Sequence, residues 1–314
     1  MAAQLTAIVD QLLTQASSMI NPAEFGVVCE QLVPSIGVEQ SSGKLAKYGT
    51  GHLRIENSLK GGRGAYRRVE AISRSTSTYQ IEGHGLEDIV TAEDYRNVVK
   101  PYDAENDCVL GLSSLLLLEK EKLWADTLTS TSVITQNATL SGSAQFSDYN
   151  NSDPLDKFKT ARATIKSGCG MPPDTAVMSW EVYNVLRFHP QILDSLGYKY
   201  ARPGGLKEDE LAVAMGVKRV LVAMSTYESA VENQTSSLAA IWGKHIVFGV
   251  FPDSAKVRQV SVGYRVQFNG NTPRKVYKSP SFNPPNATLI LVEDDYDLLI
   301  SNAAAAYLYK SVIA

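Results

Sequence analysis

One stretch of the sequence, residues 103–129, carries enough apolar surface to constrain any fold that contains it. The stretch predicts a single helix about 40 Å long at ~1.5 Å per residue, with Asp103 as its N-cap. Large apolar residues recur at a helical spacing, at Leu110, Leu117 and Trp124. The charged run at 119–122 interrupts the apolar residues well before the ~20 that a membrane span requires. The helix must therefore be covered by a sheet or by other copies of the protein.

The composition is that of an ordinary globular protein. The chain has 314 residues, of which 44% are hydrophobic and 20% charged, and its net charge of −3 favours neither nucleic acid nor membrane. The cysteines, Cys29, Cys108 and Cys169, are odd in number and form no CxxC pair. They argue against a disulfide framework or a zinc module and favour a reducing compartment. The N-terminus has no positively charged segment and carries Asp10, which excludes a signal peptide and makes the cytoplasm the default location.

Residues 44–74 differ from the rest of the chain because eight basic residues face only two acidic ones there. Alternating segments at 52–56 and 66–72 flank a glycine-rich turn at 60–64. This pattern predicts a long β-hairpin. Such a hairpin has little apolar surface of its own and is only marginally stable alone in water. It therefore needs a partner surface.

Three interpretations of this hairpin are open: a solvated loop, a nucleic-acid-binding ribbon, and a ribbon that packs on an acidic patch of a neighbouring subunit. Only Tyr66 and Tyr79 could stack on bases, and the whole chain is mildly acidic, which weighs against nucleic acid. We favour the neighbouring subunit. The candidate contact residues are Arg54, Lys60, Arg63, Arg67 and Arg68.

The remaining segments predict a mixed α+β fold with no repeat and no regular βαβ order. Residues 1–20 predict an amphipathic helix with a stripe of Leu5, Ile8, Leu12 and Leu13. Before the long helix, the sequence predicts a strand at 79–82, a short helix or turn at 86–90 and a helix capped by Thr91. After it come an exposed loop at 130–152, a helix from Asp153, a buried strand at 174–179, helices at 180–188 and 206–215, and a strand at 217–224. The last predictions are a hairpin of strands 238–242 and 246–251, strands at 257–268, 274–277 and 287–292, and an Ala-rich helix at 298–313.

The motifs of known catalytic sites are missing from the sequence. It has no GxxxxGK[ST] loop, no GxGxxG between a strand and a helix, and no GxSxG elbow. The histidines, His52, His84, His189 and His245, lie far apart without metal-ligand spacing. The acidic run at 293–297 matches no calcium loop and is interpreted as a solvated turn or a subunit contact. The sequence therefore predicts no catalytic residue, no cofactor and no metal, and a protein that is not an enzyme.

The order of the segments is informative as a whole. An N-terminal arm, a basic glycine-tipped hairpin, a strand, a long helix, a polar loop and a compact mixed region follow one another, and the last strands return towards the long helix. This order resembles the major capsid protein of tailed bacteriophages, with the Hong Kong 97-type fold. The resemblance covers nearly the whole chain, and its most specific stretches are 79–128, 178–190, 211–220 and 295–309.

The resemblance implies a division of the chain. Residues 1–20 would be the N-terminal arm and 46–77 the extended hairpin loop, which in this family lies across a neighbouring subunit. The peripheral domain, with the spine helix at 103–129, would comprise 21–45, 78–168 and 270–314. The axial domain would comprise 169–269.

The resemblance also implies a function: many copies would form hexamers and pentamers and close into an icosahedral shell around a double-stranded DNA genome. The DNA would be contacted non-specifically, a portal and a separate scaffolding protein would be partners, and the shell would assemble in the host cytoplasm and reside in the virion. Some members of the family cross-link subunits through a hairpin lysine. Lys60 has a suitable place, but the sequence identifies no acceptor. The alternatives are an encapsulin-like nanocompartment shell and a cytoplasmic α+β enzyme with an unrecognised site.

Overall fold

The spine helix predicted at 103–129 is confirmed. The structure is a computed structural model that describes residues 8–18, 26–48, 55, 74–97, 103–197, 204–231, 234–256, 259–268, 274–281, 284 and 286–314. In it the long helix, α4, spans Ala104–Leu128, and the Asp103 carboxylate accepts the N–H of Glu105 at 3.1 Å. None of the helices in these described ranges has the length and apolar character needed to cross a membrane.

The N-terminal half of α4 covers one face of a six-stranded sheet. The order is β1 (Ile8–Val9), β13 (Lys275–Ser281), β14 (Ala287–Ile300), β12 (Gly263–Phe268) and β2 (Ser35–Val38), and β5 (Glu82–Val90) pairs with the other side of β14. All pairs are antiparallel except β12–β2. Val109, Leu112 and Leu116 of α4 pack on Ile290 and Val292 of β14 in one apolar cluster. A further helix, α1 (Gln11–Ser18), joins the same cluster.

The C-terminal half of α4 belongs to the main core, where Trp124 and Leu128 are buried. This core includes a five-stranded sheet in the order β6 (Asn137–Thr139), β15 (Ala306–Lys310), β11 (Ile246–Gly249), β7 (Thr175–Ser179) and β8 (Arg219–Ala223). The helices packed around it are α5 (Pro154–Cys169), α6 (Trp180–Leu186), α7 (Pro190–Ser195) and α8 (Glu208–Met215). The long helix thus connects the two sheets.

The remaining elements are short. Two further helices are α2 (Cys29–Leu32) and α3 (Ala92–Asn97), the second preceded by Thr91, whose hydroxyl accepts the N–H of Asp94. Two-stranded ribbons are formed by β3 (Ser42–Tyr48) with β4 (Arg74–Gln80), and by β9 (Thr226–Glu228) with β10 (Leu238–Ala240).

Several local predictions are corrected by the structure. The described part of the predicted helix 1–20 begins with strand β1, and its helix starts only at Gln11. Residues 86–90 are strand, because β5 pairs along β14. The loop 130–152 buries Ile134, Leu140 and Phe146, so it is not simply exposed. The strand at 238–240 pairs with β9 and the strand at 246–249 with β7 and β15, so they do not form a hairpin.

A further correction concerns the C-terminus. The predicted Ala-rich helix 298–313 is instead the end of β14, a 3-10 turn at Ala303–Ala305 and strand β15. The alanines favour a helix locally. Tyr307, Leu308 and Tyr309 are buried, however, in a strand that lies between β11 and β6, and this packing overrides the local preference.

Candidate assembly interface

The five candidate contact residues, Arg54, Lys60, Arg63, Arg67 and Arg68, lie outside the described residues, so their assignment stays a prediction. The structure does describe the base of the segment that carries them. Strands β3 and β4 pair antiparallel from Ser42 opposite Gln80 to Tyr48 opposite Arg74. The chain therefore leaves at Tyr48 and returns at Arg74, side by side, as a hairpin requires.

The ribbon base is attached to the large sheet near the end of β4. Tyr79 of β4 is buried against Val266 and Leu299 in a small apolar cluster. The N–H of Gln80 donates to the Asp297 carboxylate of β14 at 3.0 Å. These contacts fix the ribbon base relative to β12 and β14, and so fix the direction in which the ribbon departs.

The charged side chains at 119–122 do not all face solvent, because those at 120 and 121 are buried. Lys120 is 1% exposed and pairs with buried Asp294 of β14. Its ammonium nitrogen also lies 3.5 Å from Glu30 and 4.5 Å from the centre of the Tyr296 ring. Arg265 of β12 reaches Glu30 at 3.4 Å. We call Lys120, Asp294, Glu30 and Arg265 the buried charge cluster; it joins α4 to two strands of the large sheet.

The next residue of the helix, Glu121, forms a second set of contacts between α4 and the rest of the subunit, which we call the Glu121 joint. Its carboxylate accepts the N–H of Cys29 at 2.7 Å, the N–H of Val28 at 3.2 Å and the indole N–H of Trp242 at 2.5 Å. Burial raises the pKa of Glu121, and these N–H donors oppose the shift. Glu121 thus fixes α4 to the start of α2 and to the turn that precedes β11.

The acidic run at 293–297 lies within strand β14, so the interpretation as a solvated turn is wrong. Side chains alternate along a strand, and Asp294 points into the buried charge cluster. Asp295 lies 3.9 Å from Lys275, on the other face. In the ranges that the structure describes, no group of three or more His, Cys, Asp and Glu side chains could hold a metal ion.

Part of the apolar surface of α4 stays uncovered in the single subunit. Leu115 is 55% exposed, and Leu110 and Leu123 are also exposed. Ile55, within the segment that the ribbon base carries, is 96% exposed. These side chains are available for contacts with other copies.

Neither the buried charge cluster nor the Glu121 joint was identified from the sequence. The helical period was the available signal: Ser113, Leu117, Lys120 and Trp124 share one face, and all four are buried. A lysine between buried positions on an amphipathic helix indicates a buried partner, but the sequence alone does not identify Asp294 as that partner.

The arrangement of a long helix across a sheet, with a two-stranded ribbon and a second mixed sheet, is similar in fold to capsid proteins of the Hong Kong 97 type. A phage-related protein from Bordetella bronchiseptica RB50 superposes with a TM-score of 0.76 over 98% of each chain, at 22% identity. The capsid of the cyanophage P-SCSP1u gives 0.58 over 90% of this chain and 88% of that one, at 11% identity. The holo-SrpI encapsulin complex from Synechococcus elongatus gives 0.55 over 99% and 94%, at 11% identity.

Comparison of sequences finds relatives as well. The chain is 25% identical over 272 residues to the major capsid protein of Burkholderia phage BcepMu, covering 84% of this chain and 85% of that one. It is 24% identical over 230 residues to the major capsid protein of Pseudomonas phage JBD67, covering 71% of each. No protein-family model matches. In sequence and in fold the chain is thus similar to phage major capsid proteins, which confirms the resemblance indicated by the sequence.

Proposed function

We propose that this chain is a major capsid protein that assembles through hexamers and pentamers into an icosahedral shell around the double-stranded DNA genome of a tailed phage. The observation that carries the proposal is that sequence similarity to a phage major capsid protein covers 84% of the chain, and similarity of fold to a phage-related protein covers 98% of it. A structural role accounts for the apolar side chains that α4 leaves exposed. It requires no enzymatic activity.

The division into domains is part of this proposal. The peripheral domain would comprise 21–45, 78–168 and 270–314, and the axial domain 169–269. Both sheets cross these boundaries: β12 pairs with β14, and β15 pairs with β11. The boundaries therefore name regions of the shell, whereas the main core of the subunit contains residues from both regions.

The partners are proposed on the resemblance. Copies of the chain would contact one another through the hairpin residues Arg54, Lys60, Arg63, Arg67 and Arg68. A separate scaffolding protein and a portal would take part in assembly, and packaged DNA would be contacted without sequence specificity. Assembly would take place in the host cytoplasm, and the mature protein would reside in the virion.

Reversing charge in the hairpin tests the subunit contact. The variant Arg63→Glu/Arg67→Glu/Arg68→Glu is expected to lose shell assembly while the subunit stays folded, because the opposing surface would then repel the hairpin. Sedimentation velocity measures assembly, and circular dichroism reports the fold. Salt at 1 M should weaken the wild-type contact where it is exposed, since the Debye length falls to about 3 Å.

A matched control carries the same change in net charge elsewhere. Lys159, Lys166 and Lys218 are exposed in the subunit, and their triple reversal to glutamate is expected to leave assembly much less affected. Normal shells from the hairpin variant would refute electrostatic docking of the hairpin.

A nanocompartment shell is the second candidate, because an encapsulin complex superposes over 99% of this chain. The two functions differ in what the particle encloses. Nuclease-protected DNA inside particles from the native source would favour the phage, whereas an enclosed protein cargo and no DNA would favour the nanocompartment.

A further inference from the structure

A cavity of about 290 Å³ lies where the ribbon base meets the large sheet. Its apolar lining comes from four strands and from the segment before β12, through Ile36 of β2, Leu45 of β3, Tyr264 of β12, Leu299 of β14 and Val260. The volume is near the lower end of the roughly 300–1,000 Å³ of small-molecule sites. Because segments distant in sequence line it together, the cavity is a concave site and not a flat patch of surface.

The wall of this cavity is held in place by contacts within the protein. Leu45 packs against Leu299 in the small cluster that attaches the ribbon base. The Tyr264 hydroxyl donates to the C=O of Gln259 at 3.2 Å, and the hydroxyl of buried Ser261 donates to the C=O of Gly263 at 2.8 Å. The site is therefore formed before any ligand arrives, as is usual for small-molecule sites.

The charged residues that line the cavity are both basic. Lys47 of β3 is half-buried and Lys256 is exposed, and no acidic side chain is among the described lining residues. Within the described part of the chain, neither lysine has an ion-pair partner. An ammonium group that is partly withdrawn from water is favoured by a nearby anion. The cavity therefore combines apolar walls with two cations that lack a counter-ion.

Gln259 supplies a further polar group. It lines the cavity, and its amide oxygen is buried with no hydrogen-bond partner among the described residues. Leaving a buried polar atom unpaired is unfavourable. Rotation about the last torsion of the side chain exchanges this oxygen for the N–H₂ group, so the same amide can donate a hydrogen bond to an anion. Gln259 thus adds a donor beside the two lysines.

These features together select the chemistry of the ligand. A neutral hydrocarbon would fill the apolar part but leave both lysines without an anion, whereas inorganic phosphate would pair with the lysines and leave the apolar part empty. A stable protein partner needs a surface of roughly 1,000 Å² or more, and a cavity of this size admits little more than one side chain. A small molecule with an apolar chain and an anionic head fits every part of the site.

We propose that this cavity binds a small amphipathic carboxylate of the medium-chain fatty acid type, with its alkyl chain against Ile36, Leu45 and Leu299 and its carboxylate between Lys47 and Lys256. Burial of the chain supplies affinity, and the lysines select the head group. The ligand contacts β3 and the large sheet at once, so it stabilises the position of the ribbon base. The inference does not depend on the shell function, since the cavity lies within a single subunit.

Calorimetric titration of dissociated wild-type subunits with octanoate, decanoate and decylamine tests the proposal. Decanoate is expected to bind at a single site per subunit, about tenfold more tightly than octanoate, because two more methylenes are buried. Decylamine has the same chain with a cationic head, and it should bind about tenfold or more weakly than decanoate. Peptides that span 42–48 should exchange their amide hydrogens about threefold or more slowly when decanoate is bound, because the ligand braces β3.

Two lysines of the same strand provide a matched pair of variants. Lys47→Glu places a like charge beside the bound carboxylate and is expected to weaken decanoate binding about tenfold or more. Lys44 is exposed and points to the other face of β3, because side chains alternate along a strand. Lys44→Glu makes the same change in net charge and is expected to alter the affinity about twofold or less. Circular dichroism checks that both variants are folded.

Three results would overturn the proposal. Equal affinities for decanoate and decylamine would show that the lysines select nothing, and unchanged binding by Lys47→Glu would place the carboxylate elsewhere. Binding by dissociated subunits that is lost in shells would identify a side chain of another copy as the occupant in place of a free carboxylate. A preference for decanoate that depends on Lys47 and not on Lys44, together with slower exchange at 42–48, would establish the site.

Discussion

Replacing Lys120 by methionine is expected to lower the free energy of unfolding of the subunit by about 3–5 kcal/mol, because removing one member of a buried ion pair leaves the other charge uncompensated. Lys120 is 1% exposed, and Asp294 beside it is 6% exposed. Among the described residues, Glu30, 3.5 Å away, would keep Arg265 as its partner. Methionine is only one heavy atom shorter than lysine, so the loss reports the charge more than the packing. Denaturant unfolding of the dissociated subunit measures it.

The neighbouring lysine is a close control. Lys122 pairs with Asp126 one turn along the same helix, but both side chains are substantially exposed. Lys122→Met should cost about 0.5 kcal/mol or less, as is usual for exposed pairs. Adding Asp294→Leu to Lys120→Met should recover much of the stability, since a buried pair can be replaced by apolar groups at little cost. A loss below 1 kcal/mol for Lys120→Met would contradict the role given to the buried charge cluster.

Replacing Glu121 by glutamine is the second large expected effect. Both carboxylate oxygens accept N–H groups, from Cys29, Val28 and Trp242. The glutamine amide would point an N–H₂ group at one of these donors, which should cost about 1–3 kcal/mol. Glu119→Gln, at an exposed position two residues earlier, should be nearly neutral. A double-mutant cycle with Trp242→Phe isolates the indole bond, and additive effects would show that no such bond contributes.

The pH dependence of this variant has a definite sign. Burial raises the pKa of Glu121 in the folded protein above the value of 4.5 expected for the unfolded chain. The folded protein therefore binds the proton of Glu121 more tightly than the unfolded chain does. The stability that results is fully present below pH 4.5 and is lost as pH rises through the folded pKa. The stability difference between wild type and Glu121→Gln should therefore be largest at low pH and shrink as pH rises. Parallel pH profiles would contradict this.

The sequence predicts α4 well because all the signals for that helix are local. Asp103 caps it, and the apolar spacing extends to its last turn. The strands that were missed depend on distant partners. Glycines dilute the alternation in β5, and its conformation is set by pairing with β14, about 200 residues later. Likewise β15 is a strand because it pairs with β11 on one side and β6 on the other. The alanines that precede it favour a helix.

The candidate interface was predictable in part. Excess positive charge on a segment without a core predicted a ribbon that needs a partner, and the antiparallel base of that ribbon is described. The register that places two glycines of β5 opposite Glu293 and Asp295 could not be predicted, because strand register has no local signal in the sequence.

The measurement that tests the central claim most directly is negative-stain electron microscopy of the purified protein, combined with sedimentation velocity. The shell function predicts closed particles, or rings of five and six subunits. A discrete monomer or small oligomer in which the peptide bonds of 60–64 resist protease would contradict it, because an undocked hairpin should be cleaved there. That result would favour a compact protein with a different function.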